Sequence, residues 1–248
     1  MSFRRAIILA AGCGRRLSEV YPGPKCLVPI GGEPLLAYQM RAVQEIGVTE
    51  VVLVVGYQAE SVAATAQRLG HALNMGTRFV HNRDYATSNT LVSLAQARAW
   101  LDGIVYCLNG DVLFAASLLR RLERAELPAA IAADRRPVGA EEVKLRCQED
   151  GRIRAISKAI DPALSLGEAV GIARYTAQPA RAFAKALEQR MNLPEHRHSY
   201  YEAAMDAILS EVSMHAVDVS GEPVIEIDFP DDLFIARERI LPRLSGRT

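Results

Sequence analysis

Long apolar runs are missing from this chain: no stretch approaches the roughly 20 residues that a membrane-spanning helix needs. The opening Met1-Ser2-Phe3-Arg4-Arg5 leads into a short strand-like run rather than the apolar segment of a signal peptide. A soluble, cytoplasmic protein with no membrane partner is therefore expected. Charge excess is missing as well, with 29 Lys plus Arg against 29 Asp plus Glu and no basic tract, so nucleic acid is not an expected partner. Cysteine is scarce. Cys13, Cys26, Cys107 and Cys147 lie far apart with no Cys-x-x-Cys pair, which argues against a zinc site and, in the cytosol, against disulfides. Cys107 lies in an apolar run and reads as core, whereas Cys13 and Cys26 flank a basic loop and are reactive there only if neighbouring cations stabilise the thiolate. No Ser-His-Asp or Cys-His constellation stands out, so no nucleophile activated in that way is expected.

What is present is organised around Ala10 to Lys25. The run Ala6-Ile7-Ile8-Leu9 is apolar at every position and predicts a buried parallel strand. It opens into Gly12 and Gly14, which allow a sharp turn and leave backbone N–H donors free to face an anion, while Arg15, Arg16 and Lys25 bring three cations to the same loop. That combination suits a polyphosphate. Two common phosphate loops do not fit. The dinucleotide fingerprint needs a third glycine where Leu17 stands, and the P-loop needs Gly-Lys-Ser/Thr, whereas Lys25 lies between Pro24 and Cys26.

The 248 residues are enough for one large α/β domain. Helical spacing predicts helices over Pro34–Ile46 and Ala59–Leu69, and Val51–Val55 and Arg78–His81 predict further strands, an alternation that implies a parallel sheet with right-handed crossovers. A polar loop, Asn82 to Thr90, follows; it is either a simple capping loop, with Ser88 capping a helix that runs to Trp100, or a ligand loop at a strand's carboxyl end. The strand Ile104–Asn109 delivers Gly110-Asp111, where Asp111 by itself reads as a cap for a helix over Val112–Ala125. Beyond Ala129, short strands at Ala130–Ala133, Val143–Cys147 and Ile153–Ser157 predict an antiparallel elaboration with a hairpin at Glu149-Asp150-Gly151. A strand over Ala169–Tyr175, helices over Pro179–Met191 and about Tyr201–Glu211, and a strand at Val224–Ile227 complete the pattern. His196 and His198 alternate like metal ligands but lack a third and are expected at the surface. Two rings and a carboxylate at Tyr200-Tyr201-Glu202 could surround a cation.

The run Leu9-Ala10-Ala11-Gly12-Cys13-Gly14-Arg15-Arg16-Leu17, with Pro24-Lys25 and its continuation to Leu35, resembles the signature of the nucleotidyltransferases that make activated sugars and alcohols. The stretch Asn82-x-Asp84-Tyr85-x-x-Ser88-Asn89 with Ser93-Leu94 is similar to that of the phosphocholine and aminoalkylphosphonate cytidylyltransferases in that superfamily. So are Ser157-Lys158, Tyr201-Glu202 and Glu226-Ile227-Asp228. Ala203 stands where the family usually has an acid, with Asp206 one helical turn on as a substitute.

The resemblance implies a single doubly wound, mostly parallel α/β sheet with a small antiparallel elaboration, of the nucleotide-diphospho-sugar transferase type. Its nucleotide-binding half is about 1–127 and its acceptor half about 128–248. It implies nucleotide contacts from Ala10, Ala11, Gly12, Gly14, Arg15, Arg16, Lys25, Asn82, Ser88 and Gly110. Arg16 and Lys25 are the implied catalytic cations, and Asp111 and Asp228 the implied ligands of Mg2+. Asn89, Lys158, Tyr200, Tyr201, Glu202 and Glu226 are placed toward the acceptor. The implied reaction moves CMP from CTP to a small phospho-alcohol or aminoalkylphosphonate with release of pyrophosphate. The alternatives are a sugar-1-phosphate or inositol-phosphate nucleotidyltransferase and a regulatory nucleotide-binding module. Base preference and oligomeric state, a homodimer included, stay open.

Overall fold

The computed structural model describes residues 3–244. β1 (Arg4–Ala10) runs into the glycine-bearing loop, which leads to a short hairpin of β2 (Pro29–Ile30) and β3 (Glu33–Pro34) and then to α1 (Leu35–Gln44). β4 (Glu50–Val55), α2 (Ala59–Ala72), β5 (Gly76–His81), α3 (Thr90–Gln96) and β6 (Ile104–Asn109) follow in the expected alternation. β5, β4, β1 and β6 lie side by side and parallel. Strands apolar at nearly every position need cover on both faces. Ile7, Val52 and Cys107 pack with Leu91 and Leu94 of α3 on one face, and Ile8, Leu53 and Leu108 pack with Met40 of α1 and Val62 of α2 on the other.

The second half adds β7 (Val112–Phe114), α4 (Ala116–Arg124), β8 (Ala129–Asp134), β9 (Lys144–Cys147), β10 (Ile153–Ser157), β11 (Gly167–Tyr175), α5 (Ala177–Met191) and α6 (Glu202–Asp206). β12 (Met214–Asp218), β13 (Val224–Glu226) and α7 (Pro230–Ile235) follow, the last running on through a π-helical turn, Ala236–Ile240, into α8 (Leu241–Leu244). β11 pairs antiparallel with β6, β8 and β9, and β12 joins β8 in parallel, making one nine-stranded sheet. The β9–β10 hairpin turns at Gly151 as the sequence predicts, with a 2.8 Å bond from the Gln148 amide to the Arg152 carbonyl.

Three expectations are corrected. The helix expected over Val112–Ala125 begins only at Ala116, because Val112–Phe114 form β7 against β13, with Leu113 in the apolar cluster described below. The helix expected to reach Trp100 ends at Gln96 and continues as a 3-10 turn, and its cap is Asn89, not Ser88: the Asn89 side chain accepts from the Thr90 amide at 2.8 Å. The helix expected over Tyr201–Glu211 is regular only to Asp206.

A third apolar cluster lies outside the main sheet, where Leu17, Val28 and Ile30 pack with Leu113 of β7, Ile227 after β13 and Leu233 of α7. It joins the segment after the glycine loop to the end of the chain. Gly110 is as tightly held: its amide donates to the Leu9 carbonyl at 3.0 Å, and a Cβ there would collide with that carbonyl oxygen. Gly110→Ala is therefore expected to destabilise the chain by about 1–3 kcal/mol, the usual cost of forced overpacking. A lowered urea midpoint checks this; an unchanged midpoint would mean that the β6 end shifts freely.

Candidate active site

The loop after β1 owes its shape to Gly14, which sits at φ 58 ahead of the 3-10 turn Arg15–Leu17. A Cβ on Gly14 would lie 3.2 Å from Cβ of Lys25, so the glycine also makes room for the lysine stem. Lys25 begins a second 3-10 turn after Pro24. A cavity of about 120 Å3 is lined by Ala10, Gly12, Gly14, Lys25, Gly110 and Asp111, with Leu9 and Cys26 completing its wall. Ala11 is buried beside it and accepts from the Tyr57 amide through its carbonyl at 3.0 Å. Cys26 is buried, and burial, with the Asp111 charge beside it, pushes its thiol up to about 12, so the condition for a reactive thiolate is not met there.

Lys25 Nζ donates to Asp111 Oδ2 at 2.7 Å and to Asp228 Oδ1, and its side chain is only 16% exposed. Burial works against its ammonium, but Asp111 and Asp228 outweigh it and hold the lysine above its ordinary value. Asp111 leaves the end of β6, and Asp228 lies just past β13. The Ile227 amide donates to the Asp111 carbonyl at 2.9 Å, and the Asp228 amide to Asp232 Oδ2 at 2.9 Å, so both acids are fixed by backbone.

Glu226 joins them. One carboxylate oxygen from each of Asp111, Glu226 and Asp228 lies within 4.8 Å of the others. Burial, and then repulsion from Asp111 and Asp228, pushes the Glu226 carboxyl above its ordinary value. Asp111 Oδ1 is buried with no hydrogen-bond partner. An all-oxygen donor set with an orphaned carboxylate oxygen fits a hard divalent cation such as Mg2+. Arg16, 55% exposed in its side chain, donates to Asp228 Oδ2 at 3.4 Å and stacks over Phe229 with its guanidinium carbon 4.9 Å from the ring centroid.

The Asn82–Asn89 loop folds on its own side chains. Asn82 is fully buried; its Nδ2 donates to Ser93 Oγ at 2.9 Å and Ser88 Oγ at 3.2 Å, and its Oδ1 accepts from the Asp84 amide at 3.0 Å. Besides capping α3, Asn89 donates through Nδ2 to the His198 carbonyl at 3.2 Å. A cavity of about 410 Å3 opens between this loop and the glycine loop, lined by Cys13, Arg15, Ser18, Pro22, Tyr57, Tyr85 and Ala86. The Tyr57 and Tyr85 ring centroids are 6.3 Å apart. Sequence reasoning missed Tyr57; its one signal is its place directly after the glycine that ends a buried strand.

Lys158 Nζ, just past β10, lies 4.5 Å from the Tyr200 ring centroid and 3.5 Å from its hydroxyl. Tyr201 does not share that surface. It is 1% exposed and packs edge-on to Phe183, so of the two rings expected around a cation only Tyr200 reaches solvent. Glu202 is 5% exposed, and its Oε2 has no hydrogen-bond partner. Asp206, the substitute acid, instead accepts from the Ile156 amide at 2.9 Å and holds the end of β10. His196 turns to Ser199 Oγ at 3.2 Å.

The MobA-like NTP transferase domain model matches residues 6–207. The chain belongs to this family. The CMP-5'-(3-aminopropyl)phosphonate synthase of Streptomyces rubellomurinus is 42% identical over 150 residues, which are 59% of this chain and 23% of that protein. The chain thus spans about a quarter of that relative's length. The choline-phosphate cytidylyltransferase of Streptococcus pneumoniae is 24% identical over 92% of this chain and 94% of its own. The inositol-1-phosphate CTP transferase from T. maritima shares the fold, with a TM-score of 0.79 at 21% identity over 100% of this chain and 96% of that one. No helix among the described residues is long and apolar enough to cross a membrane.

Within this NTP transferase domain, burial pushes the Glu202 carboxyl up to about 7, only partly offset by its own backbone amide and by Lys158. A carboxyl raised on folding weakens the fold as it ionises. The cost is absent below its ordinary value of 4.5, grows as pH rises, and is complete above about 7. Glu202→Gln is therefore expected to melt above wild type at pH 8, with the gap closing toward pH 4.5. Thermal unfolding at several pH values checks this; a pH-independent difference would place the ordinary carboxylate value in the folded state.

Proposed function

We propose that this chain transfers CMP from CTP to a small phosphorylated alcohol or aminoalkylphosphonate, with Mg2+, and releases pyrophosphate. One observation carries this reading: the glycine loop, two cations and three carboxylates converge at the carboxyl ends of β1 and β6. Ligands of doubly wound sheets bind at that end. The 42% identical relative named as a CMP-aminopropylphosphonate synthase supports the nucleotide and the acceptor class.

The reaction joins two anions. An acceptor oxygen attacks the α-phosphorus and the bond to the pyrophosphate oxygen breaks, so repulsion must be neutralised before alignment can help. Lys25 and Arg16 would neutralise the transferring and leaving phosphates, and the loop amides around Gly12 and Gly14 would hold the phosphate chain. Asp111 and Asp228, with Glu226 beside them, would hold Mg2+, which when bound supplies further positive charge to phosphate oxygens. Tyr57 and Tyr85 offer ring faces to the base across the larger cavity. Lys158 would take the acceptor phosphate, with Glu202 near an acceptor amine. No general base is required, because the acceptor oxygen is already ionised near neutral pH.

Pyrophosphate release measured for five nucleoside triphosphates against phosphocholine, aminoethylphosphonate, inositol phosphate and sugar 1-phosphates tests the reading. A signal with CTP and one small amine-bearing acceptor is expected. Turnover only with a sugar phosphate would keep the catalytic residues and discard the acceptor class. Lys25→Ala is expected to lower kcat about 10²–10³-fold, the scale for removing one preorganised charge at the reacting group. Asp111→Asn and Asp228→Asn are each expected to move the magnesium titration to higher concentration. Unchanged titrations in both would remove the carboxylate site.

A further inference from the structure

The loop between β5 and α3 and the segment that leads into α6, far apart in sequence, are stitched together by side-chain and backbone bonds. The Arg197 fork reaches across: Nε donates to the Thr87 carbonyl at 3.1 Å, Nη2 to Thr87 Oγ1 at 2.9 Å, and Nη2 lies 3.6 Å from Asp84 Oδ1. Backbone bonds run alongside. The Asn89 amide donates to the Arg197 carbonyl at 3.1 Å, the Leu91 amide to the Ser199 carbonyl at 3.2 Å, and the Tyr201 amide to Thr90 Oγ1 at 3.1 Å. Thr87 directly follows Ala86 in the wall of the larger cavity, and Arg197 stands three residues before Tyr200.

We propose that Arg197 is a positioning residue that couples nucleotide binding to acceptor binding, by clamping the loop between β5 and α3 onto the segment that leads into α6. This rests on the proposed transferase reading. A group that fills the larger cavity orders the Tyr85–Ala86 wall, and the fork carries that order to the segment bearing Tyr200 and Glu202. Arg197 touches neither the reacting atoms nor the acid cluster, and its side chain is 47% exposed. Its effect is therefore a coupling between two sites, reciprocal by linkage. Lysine would keep the charge but lose the planar fork that holds two acceptors at once.

Hydrogen–deuterium exchange of the full chain, with and without Mg·CTP, tests the clamp without turnover. In wild type, exchange is expected to slow at both 82–91 and 197–202. Arg197→Ala is expected to keep the first and lose the second, Arg197→Lys to restore part of it, and Thr87→Val, which puts a methyl in place of the hydroxyl, to act in the same direction as Arg197→Ala. In an initial-velocity matrix with the accepted substrate, the factor by which CTP lowers the acceptor KM is expected to fall about fivefold or more in Arg197→Ala, within the usual range of coupling energies. Slowing at both segments in Arg197→Ala, or at 82–91 alone in wild type, overturns the clamp and leaves the proposed activity standing. No slowing at 82–91 in wild type removes the nucleotide reading and the clamp with it.

Discussion

The ion cluster of Lys25 with Asp111 and Asp228 is the constraint around which the chain closes. Its partners are separated by 86 and 203 residues, so nothing local brings them together. Asp111 and Asp228, with Glu226, would repel one another in a partly dry site, and a buried charge without a partner is costly enough to unfold or neutralise its surroundings. Two responses are visible. Lys25 is drawn between the two aspartates, and Glu226 is pushed toward its neutral form. The cluster is tolerable only as a set, which makes each member's position depend on the others.

Apolar packing holds the set in place. The main sheet's two cores fix β1 and β6, hence the glycine loop and Asp111, but they do not reach Asp228. That task falls to the third cluster, in which Leu17 and Val28 from either side of Lys25 pack with Leu113, Ile227 and Leu233. Ile227 is the residue between Glu226 and Asp228, so burying it turns both acids toward the lysine. The same cluster explains why Val112–Phe114 prefer strand to helix. β7 must run beside β13 if Ile227 is to be buried, and tertiary pairing overrides a helical pattern of that length.

The sheet was legible in the sequence because β1, β4 and β6 are apolar at nearly every position, a pattern that water on either face would not allow. Gly12, Gly14 and Lys25 were legible because backbone freedom and charge leave a local trace. Glu226 as a member of the acid cluster was not: its carboxylate meets Asp111 only through the β7–β13 pairing, which has no short-range signal. Nor was the inward turn of Tyr201. Adjacent residues at the start of α6 point different ways, and which ring meets Phe183 is settled by α5 packing rather than by residue type. Asn82 and Asn89 show the opposite case. Their positions were marked, and what the structure shows of their side chains is the folding of the loop and the capping of α3.

Charge also sets the order of events that the proposed chemistry permits. Lys25 is too buried to be left unpaired, so it can turn from the aspartates only when phosphate offers another anion. Were it to turn, Asp111 and Asp228 would be left uncompensated, and with Glu226 they would be the residues to hold the proposed Mg2+, which would supply the missing positive charge. Arg16 is different. It is half in solvent and stacked on Phe229, so it can swing between Asp228 and a phosphate at little cost, because exposed ion pairs are weak. In the proposed reaction the buried lysine would therefore tie phosphate binding to cation binding, while the exposed arginine would follow whichever anion is present.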